Sequence, residues 1–277
     1  METINKIGDI NLHYARESQY PYGSIGRPAN FQIDSDFKAV VEVAFQEVFE
    51  ECPLGFPNVI TCAGVYVDKE GSYHKFGRAF DIDASFWDSY TMITLNFFQE
   101  YELYLAIESF LRIHFGIVLN YFYNNDHRDH WHVDNSRSVD FNTGSRSSVL
   151  YMQMISSYIY ENPVEIDGIY GPQTAAAIEN ILQVLDLSGA ITHPSTYKAL
   201  LRKTGKIAYL KFEQSKTPLR LLNNVYDVVS HLNIDHGNIM AISEALNDFK
   251  NHPETTDWLD GNFSFASNLD DLINEIV

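Results

Sequence analysis

Ser72-Tyr73-His74-Lys75-Phe76-Gly77-Arg78-Ala79-Phe80-Asp81-Ile82-Asp83 begins polar and ends in strict alternation. Gly77 permits a tight or left-handed bend that few other residues tolerate. From Ala79 to Ala84 the pattern is that of a half-buried strand, with Asp81 and Asp83 on one face and Phe80 and Ile82 on the other. A histidine therefore sits in a loop, and the strand that follows carries in a carboxylate. Imidazole and carboxylate are two standard zinc ligands, and a catalytic zinc takes three protein ligands and keeps one position open.

The third ligand is sought in Asp126-His127-Arg128-Asp129-His130-Trp131-His132-Val133-Asp134. His130 and His132 alternate with Trp131 and Val133, so both histidines face the same side of a short strand. Ser-x-His-x-x-Gly-x-Ala-x-Asp, followed downstream by Asp-x-x-His, resembles the zinc D-alanyl-D-alanine carboxypeptidase and L-alanyl-D-glutamate endopeptidase superfamily. The second stretch is similar to the extensin-like C-terminal domain, whose motif reads Asp-His-x-x-His-x-His-x-Asp. This resemblance covers residues 31–146.

The resemblance implies that His74, Asp81 and His132 hold Zn2+, with Asp129 in the general-base position. It implies that His130 is either the oxyanion donor or an alternative base, and that Ser72 hydrogen-bonds near the metal. Relatives carry an arginine near the substrate on the preceding strand. Cys62-Ala63-Gly64-Val65-Tyr66 offers none, which leaves Lys69, Lys75 or Arg78 to substitute, and Arg78 is taken as the substrate-binding cation. Asp83 and Asp134 are either orienting partners for ligand imidazoles or solvated strand-end charges.

With 277 residues the chain has room for two or three domains, and 45% hydrophobic residues supply a core. No apolar run approaches the roughly 20 residues of a membrane span. A formal charge of −18 argues against binding nucleic acid or an anionic membrane. Met1–Ile10 lacks the basic and apolar regions of a secretory signal. Release by lysis, a holin or a non-classical secretion apparatus is therefore the expected route to a substrate outside the membrane. Cys52 and Cys62 allow a disulfide or two buried thiols, and their spacing is not that of a zinc knuckle.

In chain order, residues 1–30 read as irregular, punctuated by Pro21, Gly23, Gly26 and Pro28. Ser35-Asp36 caps a helix through Val48, and Val59–Val67 reads as a strand. Phe97–Phe115 reads as a helix ended by Gly116, and Ile117–Tyr123 as a strand before the second motif. The order predicts an α+β fold, a small, mainly antiparallel sheet with packed helices. The expected divisions are 1–30, 31–146, 147–204 and 205–277.

From Val149 a helix begins, followed by Asp167-Gly168-Ile169-Tyr170-Gly171-Pro172-Gln173-Thr174, a helix Ala175–Leu182 and a short helix Ser195–Leu201. Asp-Gly signals a turn, Gly-Pro a helix entry, and Thr174 a cap. Residues 147–204 resemble the three-helix peptidoglycan-binding domain, whose hallmark is Asp-Gly-x-x-Gly-Pro-x-Thr. That implies an all-α module with peptidoglycan as its partner. Residues 205–277 read as a helical extension, with helices expected at Leu221–Val229, Ile239–Leu246 and Asp270–Val277. Two classes of function follow. One is a zinc peptidase cutting peptide stems of the cell wall. The other is a wall-binding protein without turnover, or a toxin or cargo component of a delivery system.

Overall fold

The computed structural model describes residues 1–231, with side chains described through residue 215. It is an α+β structure with a mixed sheet and five helices among the described residues. The chain divides into two units, Met1–Tyr209 and Leu210–Val277. The helices expected at Ile239–Leu246 and Asp270–Val277 lie outside the described residues. No helix among the described residues is long and apolar enough to cross a membrane.

The first thirty residues correct the reading of an irregular segment. They form β1 (Glu2–Ile4), β2 (Lys6–Ile7), β3 (Ile10–Tyr14) and β4 (Arg27–Pro28). Ile4, Ile7, Ile10 and Leu12 are buried. Strands of two to five residues, broken by a left-handed Gly8, are too short to present a periodic pattern. β1 pairs with β5 (Phe31–Ile33) in a separate two-stranded sheet.

The main sheet has eight strands. Its order is β2, β3, β6 (Val59–Gly64), β7 (Ala79–Phe86), β10 (Trp131–Asp134) and β9 (Ile117–Leu119). β4 lies beside β3, and β8 (Thr91–Ile93) beside β7. All pairs are antiparallel except β3 with β6. The sheet is thus mixed and larger than expected, because the N-terminal segment adds a parallel neighbour. β7 is its spine: one edge pairs with β6, and the other is shared by β10 and β8.

α1 (Ser35–Glu50) buries Phe37, Val41, Ala44, Phe45, Val48 and Phe49, a stripe at helical spacing. Its cap is Asp34, not Ser35 or Asp36: the Asp34 carboxylate accepts from the Phe37 N–H at 3.1 Å. α2 (Phe97–His114) packs on α1. Phe45 of α1 meets Phe80 of β7 at 5.7 Å, and Tyr104 of α2 meets Trp131 of β10 at 4.3 Å between ring centroids. These contacts assign one sheet face to the helices. Strand alternation then sends Asp81, His132 and Asp134 to the other face.

α3 (Arg146–Tyr158), α4 (Pro172–Val184) and α5 (Pro194–His231) follow. The turn at Asp167-Gly168 is held by Gln153, whose Nε2 donates to Asp167 Oδ1 at 2.9 Å and whose Oε1 accepts from Gly168 N–H at 2.8 Å. Gly171 occupies the cap position of α4. Thr174 does not cap; it is buried, and its hydroxyl accepts from Gln153 Nε2 at 3.0 Å. α5 continues far beyond the expected Leu201, and its backbone includes the helix expected at Leu221–Val229. Cys52 and Cys62 are free, buried thiols.

A fully buried ion pair joins the sheet, α2 and α3. Arg112 Nε donates to Glu108 Oε1 at 2.8 Å, and Nη2 donates to the carbonyls of Val118 and Ser147 at 2.9 and 3.1 Å. Removing one partner of such a pair leaves an uncompensated charge. Arg112→Ala is expected to lower stability by about 3–5 kcal/mol, and replacing Glu108 and Arg112 together by apolar residues to cost less. Urea denaturation measures both.

Glu47 bridges α1 to His114, whose Nε2 lies 2.6 Å away, and to Arg202 Nε at 2.7 Å. Partial burial works against the Glu47 charge, but Arg202 and His114 hold its carboxyl below the ordinary range. Burial lowers the His114 imidazole from 6.5 despite Glu47. In both groups the unfolded chain binds protons more readily than the folded one. Stability is then lost as pH falls, first below 6.5 through His114 and then below 4.5 through Glu47. The urea midpoint is expected to drop between pH 7 and 4, and to drop less in His114→Gln, which removes the first titration and part of the pull on Glu47.

Candidate metal centre

Two glycines let the site form. Gly77 has φ of 65°, and a Cβ there would sit 3.0 Å from the Asp34 nitrogen. It closes a 3-10 turn, Tyr73–Phe76, whose first backbone group is held by Ser72: the hydroxyl accepts from His74 N–H at 3.3 Å. Gly116 gives way to another backbone segment, since a Cβ there would lie 2.1 Å from the Arg137 carbonyl oxygen. The first bend delivers His74 to the open face of β7. The second lets β9 lie close to the segment leaving β10.

The decisive geometry is cross-strand. β7 and β10 pair with Asp81 opposite His132. His132 Nδ1 is 2.9 Å from Asp81 Oδ1, and His74 Nε2 is 3.1 Å from both Asp81 Oδ1 and His132 Nδ1. The three residues each offer one ligand atom, all within 4.8 Å of one another, and could hold one metal ion. The ring nitrogen facing away is tied in each case. His74 Nδ1 donates to the Val65 carbonyl at 2.7 Å, and His132 Nε2 donates to Asp134 Oδ2 at 3.1 Å. Such partners fix the orientation of each ring and aim its other nitrogen at the shared point, where a cation would have to displace a proton.

The carboxylate and the imidazoles stabilise each other's charged forms. Burial works against charge on Asp81, but hydrogen bonds from His132 and His74 hold its carboxyl well below the usual range. Burial also opposes a charged His132, yet the hydrogen bonds to Asp134 and Asp81 carry it up to about 9. A metal ion held here would take the place of the proton these groups share. Two imidazoles, each anchored from behind, and a carboxylate could hold a divalent metal.

A cavity of about 720 Å³ opens over these residues, lined among others by Ser72, His74, Asp81, His130 and His132. His130 Nε2 points inward, 3.7 Å from Asp81 Oδ1. Its Nδ1 bonds Asp129 Oδ1 at 2.8 Å. Asp129 does not line the cavity; it stands behind His130, with its other oxygen on Arg16 Nη1 at 2.9 Å. Partial burial disfavours its charge, but Arg16 and His130 hold it below the ordinary carboxylate range. His127 lies beside the group, tilted 5.1 Å from the His130 ring and edge-on 5.8 Å from that of His132. Burial and these neighbours bring it down to about 4, so it is neutral at pH 7.

Arg78 is not brought to the cavity. Its guanidinium lies 3.7 Å from Asp34, beyond Gly77. Lys69 reaches the cavity wall, while Lys75 pairs with Glu70. Asp134 orients a ligand imidazole, whereas Asp83 touches none and pairs with Arg16. Arg16 is the charged residue that sequence reasoning missed. It follows β3, a five-residue strand that carries no local signal of its distant partners.

Comparison with protein-family models, with curated proteins and with solved structures finds no match to this chain.

One divalent ion per chain is expected on metal analysis. His132→Ala should abolish binding. Asp134→Asn, which keeps the ligand but loosens its anchor, should weaken affinity about 10–100-fold in a chelator competition assay.

Proposed function

We propose that this chain is a zinc-dependent peptidase that hydrolyses peptide-stem amide bonds of peptidoglycan, with residues 147–204 holding it to the cell wall. The observation that carries the reading is the convergence of His74 Nε2, Asp81 and His132 Nδ1 on one point beside a cavity. Support also comes from the motif resemblance in residues 31–146 and in the helical segment.

Zinc, when bound, acts as a Lewis acid and brings the pKa of a water ligand to about 7. The chain supplies the proton transfers. His130 Nε2 faces the same point, so it is the group that can take a proton from the attacking water. The water oxygen adds to the carbonyl carbon, the carbon–nitrogen bond breaks, and the proton held at His130 passes to the departing amine. Asp129 acts from behind, accepting a hydrogen bond from the His130 Nδ1–H and fixing the ring, in the manner of an aspartate behind a catalytic histidine. His74 and His132 stay oriented through Val65 and Asp134. Ser72 holds the turn that presents His74, and its role toward substrate is confined to the cavity wall.

Asp129, at the position the resemblance gives to the general base, does not line the cavity, and this favours a second reading, a wall-binding protein without turnover. Mass spectrometry of digested peptidoglycan separates the two. Under the first, new amino groups appear, name the bond cut, and vanish in His132→Ala or after chelation. Stoichiometric zinc and wall sedimentation without released amines would establish the second.

A further inference from the structure

Arg16 is spent on two carboxylates at once. Nε and Nη2 form a fork on Asp83, at 3.0 Å to Oδ2 and 2.7 Å to Oδ1, while Nη1 reaches Asp129 Oδ2 at 2.9 Å. Asp83 is fully buried and on the spine strand, so it is a fixed post. Asp129 is partly exposed and sits in the segment between a 3-10 turn and β10. A bidentate arginine pair specifies orientation as well as charge. The guanidinium also lies 5.3 Å from the Tyr22 ring centroid, and Tyr22 is hydrogen-bonded to Thr94 at 3.1 Å. The Thr94 hydroxyl lies 2.8 Å from the Asp83 carbonyl and 2.6 Å from that of Asp129. Main chain and side chain of Asp129 are therefore both referenced to Asp83.

We infer that Arg16 is a positioning residue: it transfers the rigidity of β7 to Asp129, and through Asp129 sets the direction of the His130 ring toward the metal point. This inference rests on the hydrolase reading for its kinetic consequence, but its geometry stands without it. Substrate recognition is not its role. Three of its five N–H groups are already committed, and it does not line the cavity. The chain Arg16, Asp129, His130 crosses from the first strand group to the second motif, so the N-terminal segment is part of the active machinery. Lysine cannot replace the fork, because one ammonium cannot span Asp83 bidentately and Asp129 together.

The test uses the full chain with Arg16→Ala and Arg16→Lys. Two readouts are taken, peptidoglycan amine release and the Nδ1–H signal of His130 in metal-free, 15N-histidine-labelled protein. Arg16→Ala is expected to lower kcat about 10–100-fold, with zinc stoichiometry unchanged and KM within about threefold. Millimolar guanidinium should restore part of the rate. The His130 Nδ1–H signal, protected in the wild type, should broaden or vanish in Arg16→Ala. Arg16→Lys keeps the charge and stem, and should show the same losses with a melting point close to wild type. Unchanged kcat and an unchanged imidazole signal in either variant would overturn the inference, as would a loss confined to KM. A wild-type chain that releases no amines sinks the hydrolase reading instead, and the imidazole signal then decides the role of Arg16 alone.

Discussion

The pairing of Asp81 with His132 across β7 and β10 is the constraint on which the site depends. Strand side chains alternate with a period of two, so a slip of one residue would turn every one of these groups toward the helices. Trp131, Val133 and Phe80 prevent that slip. They are buried against α1 and α2, and no polar residue could take their place there without loss of the core. The apolar face thus sets the register, and the register sets the distance between two ligand atoms. His74 completes the group from a turn that a left-handed glycine makes available.

Around that pair the structure is layered by anchoring. His74 and His132 are each held from behind by a single acceptor, a backbone carbonyl and a carboxylate. His130 is held by Asp129, and Asp129 by Arg16 and Asp83. Burial raises the Asp83 carboxyl to about 6 against the pull of Arg16, which still leaves it ionised at neutral pH. Each of these imidazoles therefore has a defined direction, which a set of freely rotating surface histidines would lack. Mobile groups would have to be ordered on every binding event, and ordering a side chain costs entropy.

The helical segment joins the sheet through interior chemistry and not only through chain connectivity. Arg112 ties α2 to the start of α3 and to β9, the edge strand next to β10. Gln153 in turn holds the Asp167-Gly168 turn that leads into α4. The proposed wall-holding segment and the metal centre thus lie in one compact unit, Met1–Tyr209. Under the hydrolase reading, capture and cutting would occur on one body.

The residues that meet at the metal point were legible in the sequence. The motif resemblance chose His74, Asp81 and His132 from candidates that local physics supplied: a glycine-permitted bend, a two-residue alternation, and imidazoles and carboxylates on one strand face. The α1 and α2 stripes were legible for the same reason, while Asp34 displaced Ser35 and Asp36 as cap by a one-residue shift that sequence does not resolve. The tertiary structure alone decided that β2, β3 and β4 belong to the main sheet, that Arg78 lies outside the cavity wall, and that Arg16 reaches Asp83 and Asp129, 67 and 113 residues on. A parallel pairing of β3 with β6 and an ion pair over such separations leave no local periodicity. They are set by which buried faces the whole chain can satisfy at once.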